Sequence, residues 1–289
     1  MKRKIQYFNT EEAAVILGVN VSTIKRWTDS GKVECVKTAG GHRKFLIEHL
    51  KKFIEENNKY SSKIQILPIE KEEDLQVSYH IFQHDFDYLI AYTLQQALNC
   101  DRSRVQQVFN GLYLAQFQLY EIYDRLVTPV LYQIGEMWEK EIISVAEEHF
   151  ASQTIKDSLI RLQGIIRMPQ KRIGMVMCMN FDHELHDIAL KMVDHLLELR
   201  GFKVFFSGQN TPGTRLEYIF DHFAPDRMYI SSTYIDDQDR IQKEFDRICE
   251  LCDRFSIQLF VGGRGFDSLN YAHPSVSKRL LTFKEVFES

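Results

Sequence analysis

From Arg172 onward, short apolar runs alternate with amphipathic stretches, and this alternation restricts the fold more than any other feature of the 289-residue chain. Arg172–Met179, Lys203–Ser207, Arg227–Thr233, Ile257–Gly262 and Leu280–Phe283 read as strands. Helical periodicity fills Leu185–Arg200, Thr214–Phe223 and Asp237–Phe255, with a short irregular stretch before the last strand. The pattern predicts a five-stranded parallel, flavodoxin-like (Rossmann-like) sheet over residues 171–289, with helices on both faces. Such sheets bind ligands in the loops beyond the carboxyl ends of their strands.

The first of those loops lies within CMNFDHELHDIA, Cys178 to Ala189, and holds Glu184 two residues before His186. An acid so placed can fix one imidazole tautomer and direct the other nitrogen to a metal. Taken alone, the pair reads first as solvated residues at a helix start, where acids are favoured. A zinc-protease site is excluded, because His183-Glu184 is followed at the required last position by Asp187 rather than histidine.

Charge divides the chain. Residues 1–60 hold 12 Lys/Arg against 7 Asp/Glu and the remainder 24 against 33, so a basic head precedes an acidic body. Only the head is suited to a polyanion. No apolar run approaches the ~18 residues of a membrane span, and the basic start lacks the apolar core of a signal peptide. Five cysteines without framework spacing fit a reducing cytoplasm. Cys249 and Cys252 fall in a helical pattern with no second pair, which reads as core thiols rather than zinc ligands.

Within the head, Asn9 and Glu12 predict a capping box for a helix over Glu11–Leu17, ended by Gly18. Asn20 is placed to cap a second helix, Val21–Ser30, stopped by Gly31. Two short helices across a glycine-containing turn make a helix-turn-helix. Ile24 and Trp27 face the core, while Ser22, Thr23, Lys25 and Arg26 offer donors to bases and phosphates. Val33–Val36 reads as a strand, Thr38–Gly41 as a turn and His42–Phe45 as the return strand. His42, Arg43 and Lys44 thus sit at a wing tip, with Arg43 placed to hold a phosphate or enter a minor groove. A third helix, Ile47–Glu56, packs behind, and Asn57–Pro68 reads as a linker. A protein-binding helical module is the other reading of this segment.

Residues 72–167 are helical throughout. Helices are expected near Phe86–Asn99, Ser103–Leu114, Phe117–Trp138 with a kink or break at Pro129, and Val145–Ile166, the last capped by Ser144 and Glu147. This is a bundle of about four helices, with Phe109, Tyr113, Phe117, Tyr120 and Tyr123 mostly in its core. Trp138 is followed, after nine residues, by Glu148-His149, which alone reads as a core tryptophan and a capped helix start.

TEEAAVILGVNVSTIKRW and TAGGHRKF resemble the winged helix-turn-helix of MerR and excisionase-like regulators. Across roughly 171 to 285 the chain resembles the cobalamin-binding domain: Glu184, His186 and Ala189 stand at its first motif, Ser231 and Thr233 at its second, Gly262-Gly263 at its third. Ala189 replaces that family's glycine and Thr233 its usual aliphatic residue. The Trp138, Glu148, His149 spacing is similar to the helical cap of cobalamin-binding MerR-type regulators, as is Asn210-Thr211-Pro212 to a stretch they carry.

The resemblance implies a cytoplasmic one-component transcription regulator, not an enzyme, with three domains at 1–60, 72–167 and 171–289. It implies binding of adenosyl- or methylcobalamin with His186 on cobalt, Glu184 on the other imidazole nitrogen and Ser231 extending that relay or touching the displaced tail. Gly262 and Gly263 would leave room for the tail, and Trp138, Glu148 and His149 would face the upper ligand. It implies an inverted-repeat operator in double-stranded DNA, a homodimer or larger assembly, and coupling of cofactor state, light included, to assembly and DNA affinity. Glu139 stands where light-sensing members often carry a histidine, which argues against a light-locked bis-histidine adduct. Two alternatives stay open: the same regulator with a degenerate sensor, and a corrinoid carrier subunit of a methyltransferase or mutase, which has no need of the basic head.

Overall fold

The structure, a computed structural model, describes residues 7–17, 19–46, 49, 50, 52, 53, 72–166, 168–211, 213 and 215–289. The chain forms two compact units, Met1–Gln118 with Arg125–Ser158, and Leu119–Asp124 with Leu159–Ser289.

The first unit begins with β1 (Tyr7–Phe8), α1 (Thr10–Ile16), α2 (Val21–Asp29), β2 (Val36–Lys37) and β3 (Arg43–Leu46). Asn9 Oδ1 accepts from the Glu12 amide (2.9 Å) while the Glu12 carboxylate accepts from the Asn9 amide (2.7 Å), so the expected capping box forms. Asn20 differs from expectation: its side chain makes no cap bond, and its carbonyl accepts from Thr23 and Ile24 instead. Gly31 closes α2 at φ 72°. β3 pairs antiparallel with β1 and β2, placing Val36 opposite Lys44. The first wing strand is shorter and later than the expected Val33–Val36, because Val33 turns inward to join Phe8, Ile24 and Phe45 in the core. Of the expected third helix, residues 49, 50, 52 and 53 are helical; its remainder, Gly18 and the Asn57–Pro68 linker lie outside the described residues.

The same unit continues with α3 (Glu72–Phe82), α4 (Phe86–Leu98), α5 (Arg102–Leu114), α7 (Thr128–Glu139) and α8 (Val145–Gln163), the last running on past Ser158 into the second unit. Asp85 and Asp101 cap α4 and α5 by accepting from Tyr88 and Arg104 amides. Ser144 and Glu147 form the expected box at α8. The helix α3 was not placed individually from the sequence, and it joins head to bundle. Leu75 lies in the head's core, Tyr79 meets Phe8 edge-on at 5.2 Å, and Gln83 donates to Glu12 at 2.7 Å. One residue from Leu75, buried Asp74 is paired with Arg104 of α5 and accepts from Gln107 at 3.0 Å.

The kink or break expected at Pro129 within Phe117–Trp138 is an interruption just before it: the chain makes α6 (Leu119–Ile122), a π-helical turn at Tyr123–Val127, and then α7. Pro129 stands in the first turn of α7. Its ring excludes a regular bond to the carbonyl four residues back, and the wider π turn absorbs the mismatch.

The second unit carries α6 and a parallel sheet in the order β5 (Phe202–Phe206), β4 (Gly174–Met179), β6 (Arg227–Ser231), β7 (Gln258–Gly262), β8 (Val276–Leu280). Met177, Met179, Met228, Ile230, Leu259 and Val261 form a core with Phe220 of α10 (Leu216–Phe223) and with Phe245 and Ile248 of α11 (Gln238–Phe255). The alternate strand residues face α9 (Ile188–Arg200), which packs against α12 (Phe283–Glu288). Helices thus cover both faces, and the fold class read from the sequence is the one observed.

The last strand ends at Leu280 rather than Phe283, because Thr282 Oγ1 accepts from the Glu285 amide and starts a helix there. From α6 and the π turn, Tyr123 OH meets His195 Nδ1 at 2.9 Å, and the Asp124 carboxylate accepts from the Phe283 and Lys284 amides that begin α12. Cys249 and Cys252 are buried core thiols, pushed up to about 11 and about 12 by burial. Among the described residues no helix is long and apolar enough to cross a membrane.

Candidate functional site

Strand β4 ends at Met179, and residues 180–187 form an irregular loop before α9. That helix starts three residues later than expected, so Glu184 and His186 belong to the loop, not to a solvated helix turn. Glu184 is 4% exposed, and both its oxygens are occupied. Oε1 accepts from the His186 amide at 2.9 Å and lies 2.6 Å from His186 Nδ1. Oε2 accepts from Ser232 Oγ (3.2 Å) and from the amides of Thr233 (2.7 Å) and Tyr234 (3.0 Å). Burial pushes this carboxyl upward, but the bonds from the His186 side chain and from the Tyr234, His186 and Thr233 amides outweigh it and hold it below the usual glutamate value.

The carboxylate is therefore ionised and orients His186, whose side chain is 57% exposed. With Nδ1 held, a metal would be met by Nε2. His186 opens onto a cleft of about 290 Å³ lined by Phe181, Asp182, Leu185, Tyr234 and Ile241 among others.

The hydroxyl bonded to Glu184 is that of Ser232, one residue beyond the Ser231 expected to extend the relay. Ser231 is the last residue of β6, buried and opposite Gly262. Thr233 contributes its amide rather than its side chain. Gly263 is required by the chain itself: its φ is 93°, and a Cβ there would stand 2.1 Å from the Ser232 carbonyl oxygen. A Cβ at Gly262 would come within 3.2 Å of the Leu280 carbonyl. The close approach of these two loops is what brings Ser232 under Glu184. Ala189 sits half-buried in the first turn of α9.

In the first unit, Trp138 ends α7 with 46% of its surface exposed, where a core tryptophan was one reading. Glu148 and His149 lie at the start of α8, bonded at 2.5 Å, and Glu148 also accepts from Ser152 at 2.6 Å. Ile142, Val145 and Phe150 are more than half exposed in the same hairpin.

On the head, Ser22, Lys25 and Arg26 are exposed on α2, Thr23 is half-buried, and His42 stands exposed at the wing beside half-buried Lys44. Arg43 of the wing is paired within the head. Its Nε donates to Thr28 Oγ1 at 2.8 Å and its Nη2 to Asp29 at 2.6 Å, leaving 18% of the side chain exposed. The wing arginine thus ties β3 to the last turn of α2. Lys37 adds a second cation 3.8 Å from Asp29. The pair with Asp29 has no signature in the sequence, because the two residues are fourteen positions apart.

A family model described as a helix-turn-helix domain matches residues 7–58, and one described as a B12 binding domain matches residues 92–163, which lie in the helices preceding the sheet. Over 280 residues the chain is 24% identical to the HTH-type transcriptional repressor CarH of Myxococcus xanthus, an alignment that spans 93% of this chain and 91% of that one. In structure it is similar to the monomethylamine corrinoid protein of Methanosarcina barkeri, with a TM-score of 0.58 at 13% identity over 70% of this chain and 96% of that one. At that identity the likeness speaks for the fold. Together the matches support the resemblance to a transcription regulator with a cobalamin-binding domain; the MerR subtype rests on the head's motifs alone.

Proposed function

We propose that the chain is a one-component DNA-binding transcription regulator, of MerR type, whose sensor binds a cobalamin through His186 and couples cofactor state to assembly and operator affinity. The observation that carries the proposal is the Glu184–His186 pair. A buried, ionised carboxylate fixes the tautomer of an exposed imidazole in the loop after the first parallel strand. That donor set fits a cobalt ligand, since a carboxylate on Nδ1 raises the basicity of Nε2. A corrin bound there would supply a cobalt centre whose upper ligand varies with chemical state and, for alkyl forms, with light.

The residues have separate duties. Glu184 holds the proton on Nδ1, Ser232 and the Thr233 and Tyr234 amides hold Glu184, and Trp138, Glu148 and His149 are assigned to the upper ligand. Lys25, Arg26, Ser22 and Thr23 serve DNA from α2, and His42 and Lys44 from the wing. The matched helix-turn-helix segment and the similarity to a repressor support this reading over a corrinoid carrier.

A coupling of about 1–3 kcal/mol between the two functions would change operator affinity some 5- to 150-fold. The test is absorption spectroscopy in the dark with adenosyl-, methyl- and hydroxocobalamin, beside molar mass and affinity for DNA selected from random sequence. Wild-type protein should give a base-off, histidine-on spectrum that His186→Ala loses, and the upper group should alter molar mass or DNA affinity. Protein that stays colourless sinks the cobalamin reading and leaves a regulator with a degenerate sensor.

A further inference from the structure

The loop that presents His186 contains no helix or strand, yet its backbone is bonded residue by residue. Asn210 Oδ1 accepts from the His183 amide at 2.9 Å, and the Asn210 amide donates to the Glu184 carbonyl at 2.9 Å. Gln209 Nε2 donates to the Leu185 carbonyl at 2.5 Å and reaches Asp187 at 3.3 Å. Asn180 Nδ2 donates to the His186 carbonyl at 2.8 Å. Of these four consecutive residues, His183, Leu185 and His186 are held by amide side chains and Glu184 by the Asn210 backbone amide, so that Asn210 and Gln209 of the loop after β5 grip three of the four.

Both partners of this contact are in unusual conformations. His183 has φ 69° and Asn210 φ 49°, left-handed values that residues other than glycine rarely adopt. Such a conformation persists where the surroundings determine it, and here the His183 amide is bonded to the Asn210 side chain while the Asn210 amide is bonded to the neighbouring Glu184 carbonyl. The gripping loop is itself fastened, since the Thr211 hydroxyl donates to Ser207 Oγ at 2.8 Å and Gly208 turns at φ 81°.

We propose that Asn210 and Gln209, with Asn180, are positioning residues that hold the ligand-bearing loop in its binding conformation before any corrinoid arrives. This rests on the reading of His186 as the cobalt ligand. A preordered loop spares the ordering cost at binding, so losing the grip weakens ligation without touching the imidazole or Glu184. Asn210→Gly removes the acceptor and keeps the left-handed backbone accessible; Asn210→Asp restores the acceptor. Gln209→Leu deletes the second grip at a separate residue.

The full chain carrying each change is compared with wild type and His186→Ala by hydrogen exchange of the His183–His186 amides without ligand, and by titration with hydroxocobalamin and with cobinamide. Cobinamide lacks the nucleotide base, so a histidine-dependent spectral shift in it reports ligation alone. Asn210→Gly is expected to exchange the His183 amide about tenfold faster and to bind both corrinoids about tenfold more weakly. Asn210→Asp should stay within about twofold of wild type, and Gln209→Leu should weaken binding with its melting temperature unchanged. Wild-type ligation that depends on His186, with Asn210→Gly equal to wild type in exchange and affinity, overturns the positioning role and leaves the cofactor reading standing. An Asn210→Asp chain as weak as Asn210→Gly overturns the acceptor role. Absence of any His186-dependent shift in wild type removes the cofactor reading and the positioning role with it.

Discussion

Replacing Glu184 by glutamine keeps the shape of the side chain and sets its two ends against each other. In wild type Oε1 serves the His186 amide and Nδ1, and Oε2 serves Ser232 and the Thr233 and Tyr234 amides. If the glutamine oxygen faces His186, the Nδ1–H tautomer survives but the new NH2 confronts two backbone donors. If the oxygen faces Thr233 and Tyr234, the NH2 confronts the His186 amide and can bond to Nδ1 only when the ring proton moves to Nε2, which abolishes ligation. Each frustrated amide costs about 1–3 kcal/mol. Thr233 and Tyr234 are exposed enough for water to recover part of this, so the lower end applies and the α/β unit should lose about 2 kcal/mol. Corrinoid affinity should fall by about 10- to 100-fold. Urea denaturation gives the first number, and titration with hydroxocobalamin gives the second. A Glu184→Gln chain that matches wild type in stability and binds within about twofold, while His186→Ala loses its histidine-on spectrum, would refute the account of how the imidazole is held.

Three further outcomes are expected. His195 is fully buried and its pKa is depressed to about 3, chiefly by burial and then by Lys191. The folded chain refuses a proton that the unfolded chain takes up below pH ~6.5, so stability is complete above that pH and declines as pH falls toward about 3. The decline is about 1.4 kcal/mol per pH unit, and denaturation between pH 7 and 5 should show that much less slope for His195→Gln. Gly263→Ala should destabilise the α/β unit by about 2–4 kcal/mol, because φ 93° and the 2.1 Å approach to the Ser232 carbonyl admit no methyl group; thermal melts measure it, and an unchanged melt contradicts it. Arg43→Gln should lower the head's melting temperature and leave the salt dependence of binding to a mixed-sequence duplex unchanged, whereas Lys44→Gln should reduce that slope by about one. A reduced slope for Arg43→Gln would mean that the guanidinium leaves Asp29 for a phosphate.

Local chemistry was legible in the sequence, and pairings between distant segments were not. Asn9 with Glu12, and Ser144 with Glu147, lie three residues apart and form the boxes their spacing predicts. The strand–helix alternation led to the observed sheet because the central strands β4, β6 and β7 are apolar runs buried over most of their length. The Glu184–His186 spacing was readable for the same local reason. The Ser232 bond to Glu184 was not legible, because β6 ends at Ser231 and the hydroxyl that meets the carboxylate lies in the loop beyond the strand, 48 residues from its partner. The grip of Asn210 on the His183–Glu184 backbone joins loops 27 residues apart and has no periodic signature. The pairing of Arg43 with Asp29 was not legible, because Asp29 sits at the far end of another element. The shift of the last strand, and the helix after it, followed from a Thr282 cap that a short apolar run concealed.

The segment Leu119–Asp124 lies in the chain between two stretches of the first unit and yet belongs to the second. A contiguous fragment beginning after residue 158 would leave behind Tyr123, the partner of His195 Nδ1, and Asp124, which receives the first amides of α12. His195 Nε2 has no hydrogen-bond partner among the described residues, so such a fragment would leave neither ring nitrogen with a partner from the chain. The α/β part is therefore not a detachable cassette. Gene fusions that graft it onto another head must carry Leu119–Asp124 with it, and recombination between relatives in the span from residue 125 to 158 would pair His195 and the start of α12 with a stranger's segment.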